Sequence, residues 1–319
     1  MSFKLVKCGE KNVPSLIFGS LTMAPLQRNM TPTEGGKIIA AAIKRGIRWI
    51  DTAQMYGSYP HVRAGVESSG INRDELVIST KSTVKSYQDM KNAIEEALNE
   101  LQTDYIDVFL LHAVRSYDDY IEREGALQAL IEAKNKGIIY FPGASTHTIA
   151  CAKAICSDEH LSWYHLIINH KGIGLTDGTI EEQQEIMKLI KKRGAGIYAM
   201  KPLGGGYLKN EAIYSLNWVK NHPNVDAVAI GMTSLEEVEM NCNLFEELET
   251  PAEIVEKLKN IEKKLFVFQP LCNGCGSCSK TCEQKAINVV NGKAVVTKDK
   301  CIICGYCVPS CPKFALRII

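Results

Sequence analysis

A (β/α)₈ barrel followed by a small α+β domain is the fold this sequence predicts, and three observations carry the prediction. Short apolar runs alternate with segments of helical periodicity eight times over roughly the first 265 residues, the size of one such barrel. Polar side chains stand where successive strands end. Eight of the twelve cysteines lie between Cys272 and Cys311, a crowding that a barrel does not need. The expected division is 1–265 for the barrel and 266–319 for the cysteine-rich domain.

Each element has its own signal. Phe3 to Val6 and Asn12 to Leu16 read as a hairpin turning at Gly9-Glu10-Lys11-Asn12. Leu16-Ile17-Phe18-Gly19 is the first barrel strand. Thr33 to Arg45 has apolar residues at helical spacing and stops at Gly46. The apolar run Ile47 to Ile50 is the second strand and ends in Asp51. A helix containing His61 to Ser69 closes at Gly70. The third strand, Leu76-Val77-Ile78-Ser79-Thr80, runs into Lys81, and Gln88 to Leu101 is the helix after it. Ile106 to Leu111 is the fourth strand and runs into His112. Gly125 to Asn135 is helical and stopped by Gly137. The fifth strand, Ile138 to Phe141, leads to Gly143-Ala144-Ser145-Thr146. Leu166 to Ile168, Gly196 to Ala199 and Val225 to Ile230 complete the eight. Glu181 to Lys192 and Leu235 to Phe245 are outer helices. Ser234-Leu235-Glu236-Glu237 has the form of a capping box.

Composition narrows the functional classes. The chain is 45% hydrophobic and 23% charged, ordinary for a soluble globular protein. A net charge of +1 gives no basis for a nucleic-acid or membrane partner. No apolar run approaches a membrane span, and the start lacks a signal-peptide core. A cytoplasmic location is expected.

The chemistry is declared by Ile50-Asp51-Thr52-Ala53-Gln54-Met55-Tyr56-Gly57. Asp51, Tyr56, Lys81 and His112 stand at or just past the ends of three successive strands. In a parallel barrel those ends share the face that holds the active site. Hydride transfer to a carbonyl builds negative charge on its oxygen, so a proton donor must be close. A free tyrosine, with a pKa of about 10, is too weak an acid near neutrality. A lysine ammonium beside it stabilises the phenolate. An aspartate keeps the ammonium charged and fixed, and a histidine can donate to the substrate oxygen. Singly, each residue has a structural reading as a cap, a packed ring or a solvated charge; together they do not.

These pieces, "DTAxxYG", "TK" and "LLH" in order at strand ends, resemble the aldo-keto reductases. The family's tetrad of Asp, Tyr, Lys and His falls on these four positions, and the resemblance covers roughly the first four-fifths of the chain. It implies an extended nicotinamide dinucleotide, NADP or NAD, across the barrel mouth. No G-x-G-x-x-G stands between a strand and a helix, so a Rossmann site is not expected. The resemblance makes Gly19 a cofactor contact and places Ser145 on the nicotinamide carboxamide, with Thr146 for the usual asparagine and Asn169 for the usual glutamine. Met200 stands where many members put a tyrosine under the ring. Lys201 and Leu203 belong to the loop that approaches the pyrophosphate. Gly231, Thr233, Ser234 and Asn241 meet the far end. No lysine or arginine accompanies Met232 there, so NADH is expected to bind at least as well as NADPH.

Cys272-x₂-Cys275-x₂-Cys278-x₃-Cys282 is followed by Cys301-x₂-Cys304-x₂-Cys307-x₃-Cys311-Pro312. This resembles the bacterial two-cluster ferredoxins, in which three thiolates of a run hold one cubane and the fourth crosses to the other. Cys272, Cys275, Cys278 and Cys311 are therefore expected on one [4Fe-4S] cluster, and Cys282, Cys301, Cys304 and Cys307 on the second. Zinc sites use pairs of cysteines rather than such runs. Glu283 occupies the place where the second run has its proline. Val289 to Val296, around Asn291-Gly292, reads as a hairpin. From Phe266 on, seven basic and two acidic residues sum to +5, leaving −4 for the rest of a chain whose total is +1. The basic residues offset cluster charge or face an acidic redox partner.

The sequence thus describes an NAD(P)H-dependent oxidoreductase interconverting a carbonyl and an alcohol, with Tyr56 as general acid/base and two [4Fe-4S] clusters. The alternative is an electron-transfer or redox-sensing protein whose barrel is a nucleotide-binding scaffold. A nicotinamide gives up two electrons at once and a cubane carries one. Without a flavin fingerprint to convert between them, the clusters are expected off the path from nucleotide to carbonyl.

Overall fold

The structure, a computed structural model, describes residues 3–25, 27–259, 264–308, 310–313 and 315–318. It opens with an antiparallel hairpin, β1 (Leu5–Cys8) and β2 (Lys11–Pro14). Eight parallel strands then close on themselves: β3 (Leu16–Gly19), β4 (Trp49–Asp51), β5 (Val77–Ser82), β6 (Ile106–Leu111), β7 (Ile139–Thr146), β8 (Trp163–Ile167), β9 (Gly196–Met200) and β10 (Ala227–Gly231), with β10 pairing back onto β3. Lys81 lies inside β5 rather than just past it, and β8 begins three residues before the apolar run that signals it, at Trp163.

Outside the strands run α1 (Pro32–Lys44), α2 (Tyr59–Ser69), α3 (Tyr87–Leu101), α4 (Tyr117–Ile121), α5 (Glu124–Asn135), α6 (Ile149–Ile155), α7 (Ile180–Lys192), α8 (Ala212–Lys220), α9 (Leu235–Glu246) and α10 (Ala252–Lys259). Local chemistry sets their ends. Thr31 and Glu34 form a reciprocal capping box at α1, which has Pro32 in its first turn. Ser234 caps α9 by accepting from the Glu237 amide, but Glu237 does not complete the box. Its carboxylate turns back to the Thr233 amide and hydroxyl instead.

Two apolar layers hold the barrel. One lies between strands and helices, with Phe18, Ile39, Ile43, Ile50, Met90 and Phe109 among its buried members. The other fills the barrel interior, where Trp49, Trp163 and Tyr198 meet Val6, Cys8 and Val13 of the hairpin, which plugs the end opposite the strand C-termini. The hairpin is anchored there by Lys11, which pairs with buried Asp107 at 2.6 Å, while Arg73 holds the other carboxylate oxygen at 2.8 Å.

The C-terminal module is small. β11 (Leu265–Val267) pairs antiparallel with β14 (Leu316–Ile318), bringing its ends together. Between them lie the short helix α11 (Ser277–Thr281) and the hairpin β12 (Ile287–Val290) to β13 (Lys293–Val296). The hairpin turns on Asn291 and Gly292, both left-handed (φ 49° and 71°), as a two-residue turn that follows the strand twist requires. Among the described residues no helix is long and apolar enough to cross a membrane.

Candidate active site

The four tetrad side chains converge inside the C-terminal mouth of the barrel. Asp51 ends β4 and pairs in register with Ser79 of β5. Two residues farther along, on the same face of β5, Lys81 reaches back to it, Nζ to Oδ2 at 2.6 Å. Lys81 also donates to the Thr52 carbonyl at 2.8 Å. The other Asp51 oxygen accepts from Ser79 Oγ at 2.9 Å and Tyr198 Oη at 3.0 Å. Tyr56 follows in a single 3-10 turn, Gln54–Tyr56, which Gly57 ends in the left-handed conformation (φ 66°). All four are buried: Asp51 4%, Tyr56 5%, Lys81 1% and His112 2% exposed. The Lys81 ammonium is 5.1 Å from the Tyr56 ring centroid, and the Tyr56 and His112 rings meet edge to face at 5.6 Å.

Burial, with Tyr306 and the Asp51 charge adding to it, pushes the Tyr56 phenol well above its ordinary value. Burial is the leading cause, and the Asp51 charge, 2.6 Å from Lys81, opposes the lowering that a lysine ammonium supplies. Burial lowers Lys81 while Asp51 pulls it back up. His112 is held well below the ordinary imidazole value by burial and by Lys81, so it is neutral and donates from one nitrogen. Its Nδ1 has no partner among the described residues. The resting site therefore offers a protonated phenol, a neutral imidazole and a buried ion pair.

The C-terminal module sits on this mouth. Tyr306 packs against Tyr56 and stacks on His147 at 5.8 Å with 9° between ring planes. His147, just past β7, has Nδ1 2.9 Å from a Glu283 oxygen and Nε2 3.2 Å from Lys201 Nζ. The lysine can only donate, so Nε2 accepts and the ring proton sits on Nδ1 facing Glu283. Burial and Lys201 hold His147 down to about 4, against the opposing pull of Glu283. Arg115 lies 3.5 Å from the same carboxylate. Glu283, the departure from proline in the first cysteine run, is thus a hinge pin between module and barrel.

The eight motif cysteines divide between two cavities. Cys282, Cys301, Cys304 and Cys307 line one, together with His147, Lys201 and Tyr306 of the catalytic mouth. Cys272, Cys275, Cys278 and Cys311 line the other, walled by the module alone. Backbone amides already point at three of the sulfurs: Ala294 N at Cys272 (3.2 Å), Ala286 N at Cys282 (3.3 Å) and Ala315 N at Cys311 (3.3 Å). Such donors stabilise thiolate charge. Cys8, Cys151, Cys156 and Cys242 are separately buried in the barrel.

Residues 15–215 match the aldo/keto reductase family. The chain belongs to that family. Residues 265–312 match the 4Fe-4S dicluster domain. Methylglyoxal reductase DkgB of Escherichia coli O157:H7 is 37% identical over 113 residues, 35% of this chain and 42% of that protein. The chain therefore spans less than half the length of the first curated relatives it matches. Probable aldo-keto reductase 1 of Glycine max is 28% identical over 269 residues, 76% of this chain and 71% of that protein. Among solved structures, an aldo-keto reductase from Bacillus halodurans shares the fold at a TM-score of 0.65 and 20% identity, covering 81% of this chain and 95% of that one. One from Klebsiella pneumoniae in complex with NADP and acetate does so at 0.61 and 23%, covering 81% and 94%.

For an aldo/keto reductase, the expected nucleotide contacts have unusual surroundings here. Ser145 Oγ accepts from the Ala113 amide at 2.8 Å, leaving its own proton to donate. Thr146 Oγ1 is engaged with Thr148. Asn169 engages its amide with its own loop and the next one, donating to Ile173 O and Lys201 O and accepting from the Lys171 and Ile173 amides. Met200 ends β9. Lys201, whose backbone is left-handed (φ 54°), has its ammonium 3.2 Å from His147 Nε2 and lines the cavity that holds Cys304. Leu203 packs on the barrel's outer core. Gly19 and Gly231 pair in register across β3 and β10, and Thr233 is held by Glu237. Asn241 donates to the Glu237 carbonyl at 2.7 Å, while its buried Oδ1 has no partner among the described residues. An orphaned acceptor there fits the amino group of an adenine, and Ser145 fits a carboxamide.

Tyr198, Tyr306, His147 and Glu283 stand at or beside the mouth, at positions that sequence reasoning missed. Tyr198 had a usable signal, a hydroxyl-bearing ring on an inward strand position. Nothing in the cysteine spacing marks Tyr306.

Proposed function

We propose that this protein reduces a small carbonyl compound with NAD(P)H, Tyr56 giving the proton, and carries two [4Fe-4S] clusters in a C-terminal module dividing from the barrel near residue 265. The observation that supports it most is the closed set of Asp51, Lys81, Tyr56 and His112 at the barrel mouth, with the Asp51–Lys81 pair at 2.6 Å. When bound, the nicotinamide supplies a hydride. Ser145 and Asn241 are its proposed contacts at either end. His112 orients the carbonyl oxygen by donating to it, and Tyr56 gives that oxygen its proton. The phenolate left behind lies beside the Lys81 ammonium, which Asp51 and the Thr52 carbonyl hold in place, Asp51 itself being fixed by Ser79 and Tyr198. The relatives named methylglyoxal reductases make a 2-oxoaldehyde the first substrate to try.

The two cysteine quartets fit cubanes. Each is spread around a cavity, and the runs of closely spaced cysteines are those of cubane ligands rather than of zinc pairs. Lys201, which lines the cavity with Cys304, is proposed to compensate the charge of the cluster there. The test is protein purified without oxygen, assayed for oxidation of NADH and NADPH against a carbonyl panel that includes methylglyoxal. Turnover abolished in Tyr56→Phe supports the reading; no turnover with any carbonyl, or undiminished turnover in the variant, refutes it.

A further inference from the structure

Tyr306 lies between Cys304 and Cys307, in the loop whose thiols line the cavity shared with His147 and Lys201. It is a side chain of the iron-sulfur module, yet its neighbours belong to the barrel's active site. It packs on Ala24, Ala53 and Tyr56. It meets the His112 ring edge-on at 6.3 Å, and the Lys201 ammonium lies 5.8 Å from its ring centroid. His112 in turn meets the Tyr56 ring edge to face at 5.6 Å, so Tyr56, His112 and Tyr306 form one ring cluster.

The loop is firmly seated. Ile302 lies so close to Gly205 that a Cβ there would stand 1.8 Å from the Ile302 carbonyl oxygen, so only glycine allows the approach. Gln27 donates to the Ile303 carbonyl at 3.5 Å, and Gln284 to the Gly174 carbonyl at 3.2 Å. Glu283 on His147 adds a charged contact at 2.9 Å. Contacts spread over several barrel loops make this a joint rather than a chance touch by one side chain.

A carbonyl reduced at this tetrad must set its oxygen on the Tyr56 hydroxyl and within reach of His112. Those are two of the groups that Tyr306 covers. We propose that Tyr306 is a gate supplied by the dicluster module: in the resting enzyme it occupies the carbonyl position on Tyr56, and substrate binds by displacing it. The proposal rests on the reading of Tyr56 as proton donor. A phenol suits the task. Its ring fills an apolar slot, and its hydroxyl offers the buried Tyr56 hydroxyl a partner that would otherwise be missing. A substrate able to accept from Tyr56 and His112 replaces that partner; an apolar molecule does not. The cost is an apparent affinity reduced by the fraction of time the gate is shut.

The test uses cluster-loaded protein of wild type, Tyr306→Phe and Tyr306→Ala, with clusters verified by visible absorbance and electron paramagnetic resonance. Tyr306→Leu replaces the alanine variant if the smaller residue costs the cluster. Acetylation of Tyr56 by N-acetylimidazole, read by peptide mass spectrometry, needs no turnover. The gate predicts that Tyr56 reacts about tenfold or more faster in Tyr306→Ala than in wild type, with Tyr306→Phe close to wild type because the ring remains. It also predicts a KM for a small carbonyl lower by about threefold or more, with kcat within about twofold. Unchanged Tyr56 reactivity in a cluster-loaded alanine or leucine variant overturns the gate. So does a KM that rises, which would make Tyr306 a substrate-contacting wall. If no carbonyl is turned over by any of the proteins, the functional reading fails, while the acetylation rates still decide whether Tyr306 covers Tyr56.

Discussion

Replacing Lys81 by methionine isolates what the buried ion pair contributes to stability from what it contributes to chemistry. Lys81 and Asp51 are both nearly inaccessible, 2.6 Å apart. Removing the ammonium strands a carboxylate, and breaking a buried pair this way costs about 3–5 kcal/mol. Asp51 keeps its bonds from Ser79 and Tyr198, which places the cost toward the lower end, about 3 kcal/mol. In a barrel of this size, about 2–4 °C of Tm per kcal/mol makes that a fall of roughly 6–12 °C. Adding Asp51→Asn removes the stranded charge, while the carboxamide oxygen it introduces can still accept from Ser79 and Tyr198. The double variant should recover most of the lost stability yet stay at least about 10²-fold slower, because neither neutral side chain stabilises the Tyr56 phenolate. The assay is thermal unfolding at a matched scan rate on cluster-loaded protein, followed by turnover. A single variant within about 1 kcal/mol of wild type, or a double variant no more stable than the single, refutes the reasoning.

Four further outcomes follow from the same geometry. Protein purified without oxygen is expected to hold about eight irons and eight acid-labile sulfides per chain, and Cys311→Ser to lose about half, from the cluster built mainly by the first cysteine run; a loss confined to the other cluster refutes the crossing. Lys201→Met, which removes a positive charge beside one cavity, should lower the reduction potential of the cluster ligated by Cys304 and leave the other unmoved in an electron-paramagnetic titration; equal shifts in both contradict it. The Glu237 carboxylate on Thr233 is poorly placed for a 2′-phosphate, so NADPH should bind no tighter than NADH, and a Kd tenfold lower for NADPH, about 1.4 kcal/mol, shows that a basic group reaches it. Burial holds His112 and His165 well below the ordinary imidazole value, so below about pH 6.5 the unfolded chain takes up protons that the folded chain refuses. Stability is then full above about pH 6.5 and falls as the pH drops; His165→Phe, which preserves the stack on Tyr198, should flatten that fall, and equal slopes in variant and parent rule it out.

The barrel was legible because burial imposes period on sequence. Each strand buried on both faces reads as an apolar run, and each outer helix as a 3.6-residue stripe. Glycines at Gly46, Gly70 and Gly137 mark stops that the structure makes with left-handed turns. The tetrad was legible because four unrelated polar residues stand at neighbouring strand ends. The cysteine quartets were legible because a cubane fixes the spacing of three ligands in a row. What could not be read was the joint between the modules. His147 meets Lys201 and Glu283 across 54 and 136 residues, and Tyr306 stacks on it from farther still along the chain, and no local pattern encodes such a meeting. Lys201 shows the limit well. Its neighbours in sequence match a nucleotide loop, and nothing among them marks the approach of its ammonium to His147 and the cavity that holds Cys304. The clusters' expected separation from the path of the hydride now has a sharper meaning, since one cavity shares His147, Lys201 and Tyr306 with the catalytic mouth.

Direct hydride transfer at the tetrad is the central claim, and an isotope tests it most directly. Cluster-loaded protein is given nicotinamide nucleotide carrying deuterium at the transferable C4 position, together with a carbonyl substrate in ordinary water, and the alcohol is analysed by mass spectrometry. The account predicts one deuterium on the former carbonyl carbon in essentially every product molecule, and loss of product formation in Tyr56→Phe. Product formed with hydrogen from water at that carbon, while the nucleotide is consumed, would contradict it and send the electrons through the iron-sulfur module instead.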